Sequence, residues 1–322
     1  MNPTSASAHD TPLVSVVICF FNPPPAYFRE AIESVLRQTY LRWELFLVDN
    51  GSTNGSEAVA MEYVGESDRI RYLHHPHRQN KGPAASRNLG IRHAAGRWIA
   101  FLDADDLWLP DKLAQQVEAM LARPDAVLSF GGILRWYNGA EGMANEVEEH
   151  TDTLQVLPPG QLIRNLLHNK TIPGMSALMV RTDAAVAVGG FEESLLWAED
   201  QTISYRLGLQ NECLILPCWK VKYRQHPQST TSALETKAGI FSSHLGFLKW
   251  VQNHFDSVHL ADPALRSELR RLLRQYRWLS LQQRLLPPSL RTKLCGAIAL
   301  ARSYASAGQI PERKNFTKST AR

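Results

Sequence analysis

Apolar runs and amphipathic segments alternate through the first hundred residues of the chain. Unbroken apolar runs rich in β-branched residues are typical of strands buried on both faces of a parallel sheet, whereas apolar residues three and four positions apart are typical of helices. The runs predict strands over 13–21, 43–48, 70–74 and 98–102. The helical spacing predicts helices over 27–38, 57–64 and 84–95. This alternation predicts a doubly wound, mostly parallel α/β sheet flanked by helices.

The pattern is less regular after residue 110. It predicts further helices over 111–122 and 200–209. It predicts further strands over 126–134, 176–181, 214–216 and 220–224, with an acidic loop or irregular hairpin over 138–160. Strand patterns end near residue 233, and helical spacing returns over 265–286 and again from Ser289 to about 305.

We therefore expect three regions along the chain. Residues 1–11 are a disordered lead-in, 12–232 an α/β domain, and 233–322 a helical, basic C-terminal extension with a frayed end. The net charge of +4 is unevenly distributed, because residues 240–322 carry +10 and the residues before them carry −6. This change in surface chemistry supports a boundary between the second and third regions.

Composition narrows the class of protein only a little. The 44% hydrophobic and 20% charged residues are ordinary for a globular protein. The four cysteines form no CxxC pair, so neither a disulfide framework nor a structural zinc site is expected. No signal peptide is visible, and no apolar run approaches the roughly 20 residues of a spanning helix. We expect a cytoplasmic protein.

Polar side chains follow three of the predicted strands. Asn22 follows the first strand, Asp49 the second and Asp103 the fourth. Ligands of open α/β sheets bind beyond the carboxyl ends of the strands, so these side chains are candidates for a ligand site. The alternative is that they are ordinary turn residues, which Asp and Asn often are.

The sequence Asp103-Ala104-Asp105-Asp106 is the strongest local signal. In an extended segment Asp103 and Asp105 lie on the same side, where two carboxylates can hold a divalent cation such as Mg²⁺ or Mn²⁺ together with phosphate oxygens. The alternative is an acidic N-cap for a helix beginning near Pro110. That alternative accounts for Asp106 and Asp111 but not for Asp103.

Four segments together resemble the catalytic domain of glycosyltransferase family 2, which has the GT-A fold. They are VSVVICFFN near 15–22, AIESVLRQTYLRWELFLVDNGSTNGS over 31–56, NKGPAASRNLGIRHAAGRWIAFLDADD over 80–106, and GGFEESLLWAEDQTISYRL over 189–207. The resemblance implies an inverting, metal-dependent enzyme that transfers a sugar from a nucleotide diphosphate donor to an acceptor hydroxyl. The usual setting is cell-surface polysaccharide or glycan biosynthesis.

The resemblance also assigns the donor site and the metal. Asp49 is expected to bind a uracil-type base, with Asn22 and Ser52 nearby. Arg87 lines the donor pocket, Asp103 reaches the ribose, and Asp105 holds Mg²⁺ or Mn²⁺ on the diphosphate. The metal set comprises Asp105, Asp103 and His226. His226 is alternatively a surface turn histidine before Pro227. The chain has Asp49-Asn50-Gly51 where many relatives have Asp-Asp-Gly, so a second carboxylate role there is not expected.

Glu199 and Asp200 begin a predicted helix. The resemblance makes Asp200 the catalytic base and Glu199 its neighbour. In the alternative interpretation these acids only oppose the helix dipole. A catalytically silent nucleotide-sugar-binding or scaffold protein with the same fold remains the rival to the enzyme. A dinucleotide-binding dehydrogenase is disfavoured because no GxGxxG follows the first strand.

Six arginines lie largely between the apolar residues of 265–286. One interpretation is that the apolar stripe packs against the α/β domain while the arginines are solvated. The other is a peripheral contact with an anionic membrane at its inner face, which brings the enzyme to a lipid-linked acceptor. Nucleic acid is not expected as a partner, because Tyr276 and Trp278 are the only aromatic residues among the arginines.

Overall fold

The computed structural model describes residues 11–137, 144–148, 151–195, 197–226 and 240–285. Its first part is a parallel sheet in the order β3-β2-β1-β4. The strands are β1 (Val14–Phe20), β2 (Trp43–Asp49), β3 (Ile70–His74) and β4 (Trp98–Asp103). The helices between them are α1 (Pro25–Leu36), α2 (Ser56–Glu66) and α3 (Pro83–His93). The predicted alternation of strand and helix is confirmed here.

The second part extends the same sheet with mixed pairings. Its strands are β5 (Leu107–Trp108), β6 (Ala126–Trp136), β7 (Glu146–Glu148), β8 (Gln155–Leu157), β9 (Met179–Arg181) and β10 (Glu212–Arg224). Its helices are α4 (Lys112–Ala122), α5 (Gln161–Leu167), α6 (Thr182–Ala187) and α7 (Thr202–Gly208), with short 3₁₀ turns at Pro76–Arg78, Met175–Ala177 and Glu199–Gln201. The main path runs β3-β2-β1-β4-β9-β6-β10-β5, while β7 pairs with β6 and β8 with β10.

Antiparallel pairing is confined to this second part. The short strand β9 lies antiparallel between β4 and β6, and β5, β7 and β8 also pair antiparallel to their neighbours. The parallel prediction therefore holds from β3 to β4 and for the β6-β10 pair. The sheet with its flanking helices is the GT-A fold that the sequence predicted.

Several elements differ from the sequence prediction. The two predicted strands over 214–216 and 220–224 form the single strand β10, whose register shifts near Leu216 and Trp219. Helix α5, which has only seven residues, was not predicted. A long helix, α8 (Ile240–Ser257), lies in the region that was predicted to be helical, but its bounds were not predicted. The lead-in, the boundary near 232 and the helix from Ser289 lie outside the described residues.

The C-terminal helices pack onto the α/β domain. Helix α9 (Pro263–Leu285) lies against α8 and α5 and buries one apolar stripe. The stripe comprises Leu265, Leu269, Leu273 and Tyr276, which belong to the same hydrophobic core as the sheet. The Arg164 side chain of α5 also pairs with Asp262 just before α9. The packing alternative for the apolar stripe is thus confirmed, and no described helix is long and apolar enough to cross a bilayer.

Truncating the buried stripe should destabilise the whole molecule. Leu269 is 3% exposed, and Leu269→Ala should lower the free energy of unfolding by about 2–5 kcal/mol because the substitution leaves a cavity. Urea denaturation followed by circular dichroism measures the change. Leu281 on the same helix is 55% exposed, so Leu281→Ala should change it by less than about 0.5 kcal/mol. Equal effects of the two substitutions would show that α9 is not part of the core.

Candidate active site

Strand register brings the predicted acids to one edge of the sheet. Phe20 at the end of β1 aligns with Asp49 at the end of β2. Cys19, one residue earlier, aligns with Asp103 at the end of β4. Because the three strands are parallel and adjacent, both carboxylates lie beside the end of β1 at the carboxyl edge of the sheet.

Asn22, Asp49 and Ser52 form one hydrogen-bonded group at that edge. The Asp49 Oδ1 atom accepts the Ser52 N–H at 2.8 Å, and the Ser52 Oγ atom accepts the Asn22 N–H at 3.0 Å. The Asp49 Oδ2 atom accepts the Tyr72 hydroxyl at 2.9 Å. Tyr72 was not among the predicted site residues. These hydrogen bonds orient the buried Asp49 carboxylate. Asp49 is thus both a turn residue and a candidate ligand-binding residue.

Asn50 has a structural role, which its uncharged side-chain amide fulfils through three hydrogen bonds. Its Oδ1 atom accepts the backbone N–H groups of Lys81 at 2.8 Å and Gly82 at 3.1 Å. Its Nδ2 atom donates to Asn80 Oδ1 at 3.0 Å. The turn after β2 is thereby fixed to the loop that leads into α3, the helix that carries Arg87.

The Arg87 guanidinium joins three elements at the centre of the site. Its side chain on α3 is only 8% exposed. One of its amino groups lies 3.1 Å from the Asp103 carboxylate of β4, and the other lies 3.2 Å from the Glu199 carboxylate. Neighbouring anions raise the pKa of Arg87 although burial opposes its charge. The resemblance placed Arg87 and Asp103 in the donor pocket and Glu199 beside the catalytic base, and the structure brings the three side chains together.

Asn88, the next residue of α3, holds the loop before Glu199. Its Oδ1 atom accepts the Phe191 N–H at 2.8 Å, and its Nδ2 atom donates to the Phe191 carbonyl at 3.0 Å. Gly190 has a φ of +66°, and a Cβ there would lie 2.2 Å from Asn88 Oδ1. Only glycine fits this close approach.

Asp200 follows Glu199 in the 3₁₀ turn that leads into α7. Burial raises the pKa of Asp200 to about 7, the neighbouring Glu199 carboxylate adds to the rise, and Arg87 opposes it. Glu199 is engaged by Arg87, so a role limited to opposing the helix dipole does not describe this pair of acids. A buried carboxyl with a pKa near neutrality is suited to proton transfer.

Asp106 is a buried support and not an N-cap. Its side-chain oxygens accept the Ser176 hydroxyl at 2.5 Å and the Arg224 N–H at 2.9 Å, while Ser176 Oγ accepts the Asp103 N–H at 3.1 Å. Burial raises the pKa of Asp106, and Asp105 and Asp103 add to the rise. The N-cap alternative is therefore wrong for Asp106, because the residue before α4 is Asp111.

Arg224 at the end of β10 braces the acidic segment from the other side. The side chain is 1% exposed, and its guanidinium lies between the rings of Tyr27 and Trp136, at 4.0 and 4.4 Å from their centres. Its Nε atom donates to the Asp105 carbonyl at 2.8 Å. Sequence reasoning missed Arg224 and Ser176, because both lie more than 65 residues from the acids they contact.

Asp105 and His226 provide a donor set that fits a divalent cation. The His226 Nε2 atom lies 2.9 Å from Asp105 Oδ2, and the His226 side chain is 9% exposed, so it is not a surface turn histidine. Asp103 faces Arg87 instead. Among the described residues no three His, Cys, Asp or Glu side chains converge as a closed metal cluster. A carboxylate and an imidazole leave coordination positions for phosphate oxygens and water, as Mg²⁺ and Mn²⁺ prefer.

The mixed sheet with its flanking helices has the GT-A fold, and Asp49 and Asp103 lie at its carboxyl edge with the buried Arg87 beside them. The sequence model of glycosyl transferase family 2 matches residues 15–186, more than half of the chain. The chain belongs to glycosyl transferase family 2.

A curated relative and two solved structures show how far the similarity extends. The putative teichuronic acid biosynthesis glycosyltransferase TuaG of Bacillus subtilis (strain 168) is 39% identical over 121 residues, 38% of this chain and 46% of TuaG. The chain spans less than half the length of the first curated relatives that it matches.

The two structures share the fold at low identity. S. aureus TarS 1–349, solved with UDP-GlcNAc, is 15% identical with a TM-score of 0.55, and the match covers 92% of each chain. The mannosyltransferase PcManGT from Pyrobaculum calidifontis, solved with GDP-Man and Mn²⁺, is 16% identical with a TM-score of 0.55 and covers 92% of this chain and 83% of PcManGT.

Proposed function

We propose that this protein is an inverting glycosyltransferase that moves a sugar from a nucleotide diphosphate donor, a UDP-sugar, to an acceptor hydroxyl. One observation carries the proposal: the buried Arg87 guanidinium binds the carboxylates of Asp103 and Glu199, and Asp200 follows Glu199 in the same turn. This cluster lies between the donor edge, formed by the strand ends where the donor would bind, and the separate loop that carries the proposed proton acceptor, Asp200. Family membership gives the same reaction class.

The donor lies along the carboxyl edge of the sheet in this proposal. Asp49, oriented by Ser52 and Tyr72, binds the N–H of the base. Asp103, oriented by Arg87, binds a ribose hydroxyl. Carboxylates accept hydrogen bonds from a base N–H and from ribose hydroxyls, so each acid has a partner of the right chemistry. UDP is favoured because TarS was solved with UDP-GlcNAc, and GDP is the alternative because PcManGT was solved with GDP-Man.

Asp200 is the catalytic base of the proposed reaction. The acceptor oxygen attacks the anomeric carbon while its proton passes to the Asp200 carboxylate. The bond from the anomeric carbon to the diphosphate oxygen breaks, and the nucleoside diphosphate leaves with the electron pair. One displacement from the face opposite the leaving group inverts the anomeric configuration. The single carboxylate base is therefore sufficient for an inverting mechanism.

Asp105 and His226 are the residues that hold a divalent cation in this proposal. When bound, Mg²⁺ or Mn²⁺ supplies positive charge that stabilises the departing diphosphate. The like charges of Asp103, Asp105 and Asp106 within four residues favour binding of a cation there. The Mn²⁺ of PcManGT supports the choice of metal.

The acceptor is a glycan, in free or lipid-linked form, of cell-surface polysaccharide biosynthesis. TuaG, named for teichuronic acid biosynthesis, supports this setting. A silent nucleotide-sugar-binding protein is the rival, because it needs the donor edge but not the base. The two functions differ in whether bound donor is turned over.

Substitution of Asp200 tests the proposal against that rival. We expect the wild type with MnCl₂ to release nucleoside diphosphate from at least one of UDP-GlcNAc, UDP-glucose and GDP-mannose, with water as acceptor. Asp200→Asn should lower kcat by about 10²–10⁴-fold, because the base is lost. Its affinity for UDP, measured by calorimetry, should change by less than about threefold.

Asp68→Asn is the matched control, because Asp68 is exposed in the turn before β3 and should leave both quantities unchanged. Binding of UDP without turnover of any of the three donors would favour the silent protein. Full activity of Asp200→Asn would remove the proposed base.

The pH dependence of kcat/KM should report the ionisation of Asp200. The base must be a carboxylate, and its pKa is raised to about 7, so activity should fall about tenfold per pH unit below that value and level off above it. Steady-state rates of UDP release between pH 5 and 9 measure the limb. Residual activity of Asp200→Asn should lack it, and a wild-type profile that stays flat from pH 5 to 9 would show that the base has an ordinary carboxyl pKa.

We further propose a peripheral membrane contact through the outer face of α9. Arg270, Arg274 and Arg277 are exposed there, with Trp278 60% and Leu281 55% exposed. Their spacing places them on one helix face. Arginines beside exposed tryptophan and leucine fit an anionic headgroup layer with a shallow apolar boundary. Such a contact would bring the active site to a lipid-linked acceptor.

Charge reversal on this face should abolish vesicle binding. The triple variant Arg270→Glu, Arg274→Glu, Arg277→Glu should lose about 100-fold in affinity for phosphatidylglycerol vesicles, since each basic residue contributes about 1 kcal/mol at an anionic surface. Co-sedimentation measures it. Arg42→Glu, Arg92→Glu, Arg123→Glu is the charge-matched control on the α/β domain, and it should bind like the wild type. The contact would be refuted if the two variants bound the anionic vesicles equally. It would also be refuted if the wild type bound neutral phosphatidylcholine vesicles as well as anionic ones.

A further inference from the structure

Ala198 has an unusual backbone conformation immediately before the two acids of the 3₁₀ turn. Its φ is 55° and its ψ 26°, the left-handed region that alanine rarely adopts. Residues other than glycine adopt this backbone conformation only where the surrounding structure fixes them. The residue is 8% exposed, so neighbouring groups surround it. The orientation of Glu199 and Asp200 therefore depends on contacts that hold the chain on either side of Ala198.

Trp197 provides such a contact through the C-terminal helices. Its ring lies 3.6 Å, centre to centre, from the His244 ring of α8, and 5.9 Å from the edge-on ring of Phe247. The His244 ring in turn stacks at 5.0 Å on Tyr276 of α9, with an angle of 7° between their planes. His244, Phe247 and Tyr276 are all buried. This aromatic stack reaches from the second C-terminal helix to the residue before Ala198.

Glu192 makes a second connection between the same loop and α8. Its carboxylate accepts the Trp250 indole N–H at 3.0 Å and pairs with Arg206 at 2.8 Å. The Glu192 backbone N–H donates to Thr202 Oγ1 at 3.0 Å, and that hydroxyl donates to the Glu199 carbonyl at 2.5 Å. The loop is thus fixed to α8 directly at Glu192 and Trp197, and the segment after Ala198 is connected to it indirectly through Thr202 and Glu192.

We propose that Trp197 is a positioning residue for Asp200, and that α8 and α9 complete the active site by holding it through His244 and Tyr276. Both helices lie outside residues 15–186, the part of the chain that the family match covers. The inference rests on the proposed function, because it takes Asp200 as the base.

The donor edge does not depend on these helices. Asp49 and Asp103 lie at strand ends, and Arg87 keeps its Asp103 partner when the loop moves. Loss of the aromatic stack should therefore lower turnover and leave nucleotide binding nearly intact. A general loss of structure would lower both.

The test compares four variants of the full chain. Trp197→Ala and His244→Ala should each lower kcat for release of UDP from UDP-GlcNAc by about 10- to 100-fold, the effect of a small displacement of a catalytic group. Their affinity for UDP should stay within about threefold of the wild type. Trp197→Phe retains a ring against His244 and should keep most of the turnover. His259→Ala is the matched control, because His259 is exposed at the end of α8.

Hydrogen exchange supplies a readout that does not need activity. Peptides covering 197–206 should exchange faster in Trp197→Ala and His244→Ala, while peptides covering 49–56 should match the wild type. Unchanged kcat in Trp197→Ala, or parallel loss of kcat and UDP affinity, would overturn the positioning role. If the wild type turns over no donor, the proposed function fails, and the exchange rates alone decide whether the stack holds the loop.

Discussion

The buried guanidinium of Arg87 is the interaction on which the site depends. It is taken out of water, which disfavours its charge, and it is stabilised there by Asp103 and Glu199. These two acids come from β4 and from a loop 96 residues further along the chain. One cation therefore fixes the distance between the edge of the sheet and the loop that carries Asp200.

Charge also governs the acidic segment that ends β4 and follows it. Asp103, Asp105 and Asp106 lie within four residues. The Arg224 Nε–H donates to the Asp105 carbonyl, and the Arg224 backbone N–H donates to the Asp106 carboxylate. Burial and the neighbouring Asp105 and Asp103 carboxylates raise the pKa of Asp106, which also accepts hydrogen bonds from Ser176 and Arg224. A divalent cation at the Asp105 and His226 site that we propose would add positive charge beside these acids. The segment thus combines a supporting role of Asp106 with the proposed preference of Asp105 for a cation.

The sequence was most informative where contacts are local. The strands β1, β2 and β4 are apolar on both faces because helices cover both faces, and such runs can be recognised without knowledge of their partners. Because parallel strands end at one edge, Asp49 and Asp103 could be placed together. The region of α8 was predicted to be helical but without bounds, although α8 contributes Phe247 and Val251 to the core.

Supporting residues could not be found in the same way. Tyr72 orients Asp49 from the neighbouring strand, and Ser176 and Arg224 reach Asp106 across 70 and 118 residues of chain. Their sequence neighbourhoods contain no signal of the partner they will meet. Asp106 was itself visible, but its role depends on those partners, so an N-cap was an equally good interpretation.

The site is assembled from two parts with different dependence on the family fold. The proposed donor edge is a property of the parallel sheet, because strand ends and α3 position Asp49, Asp103 and Arg87. The loop with Asp200 contacts α3 through Arg87 and Asn88, and its left-handed residue Ala198 requires further support. The aromatic rings of α8 and α9 supply that support from outside the family-matched segment. Under the proposed function, the donor edge stays fixed by the sheet while the helices that follow set the placement of the base, and the acceptor fits the space between the two parts.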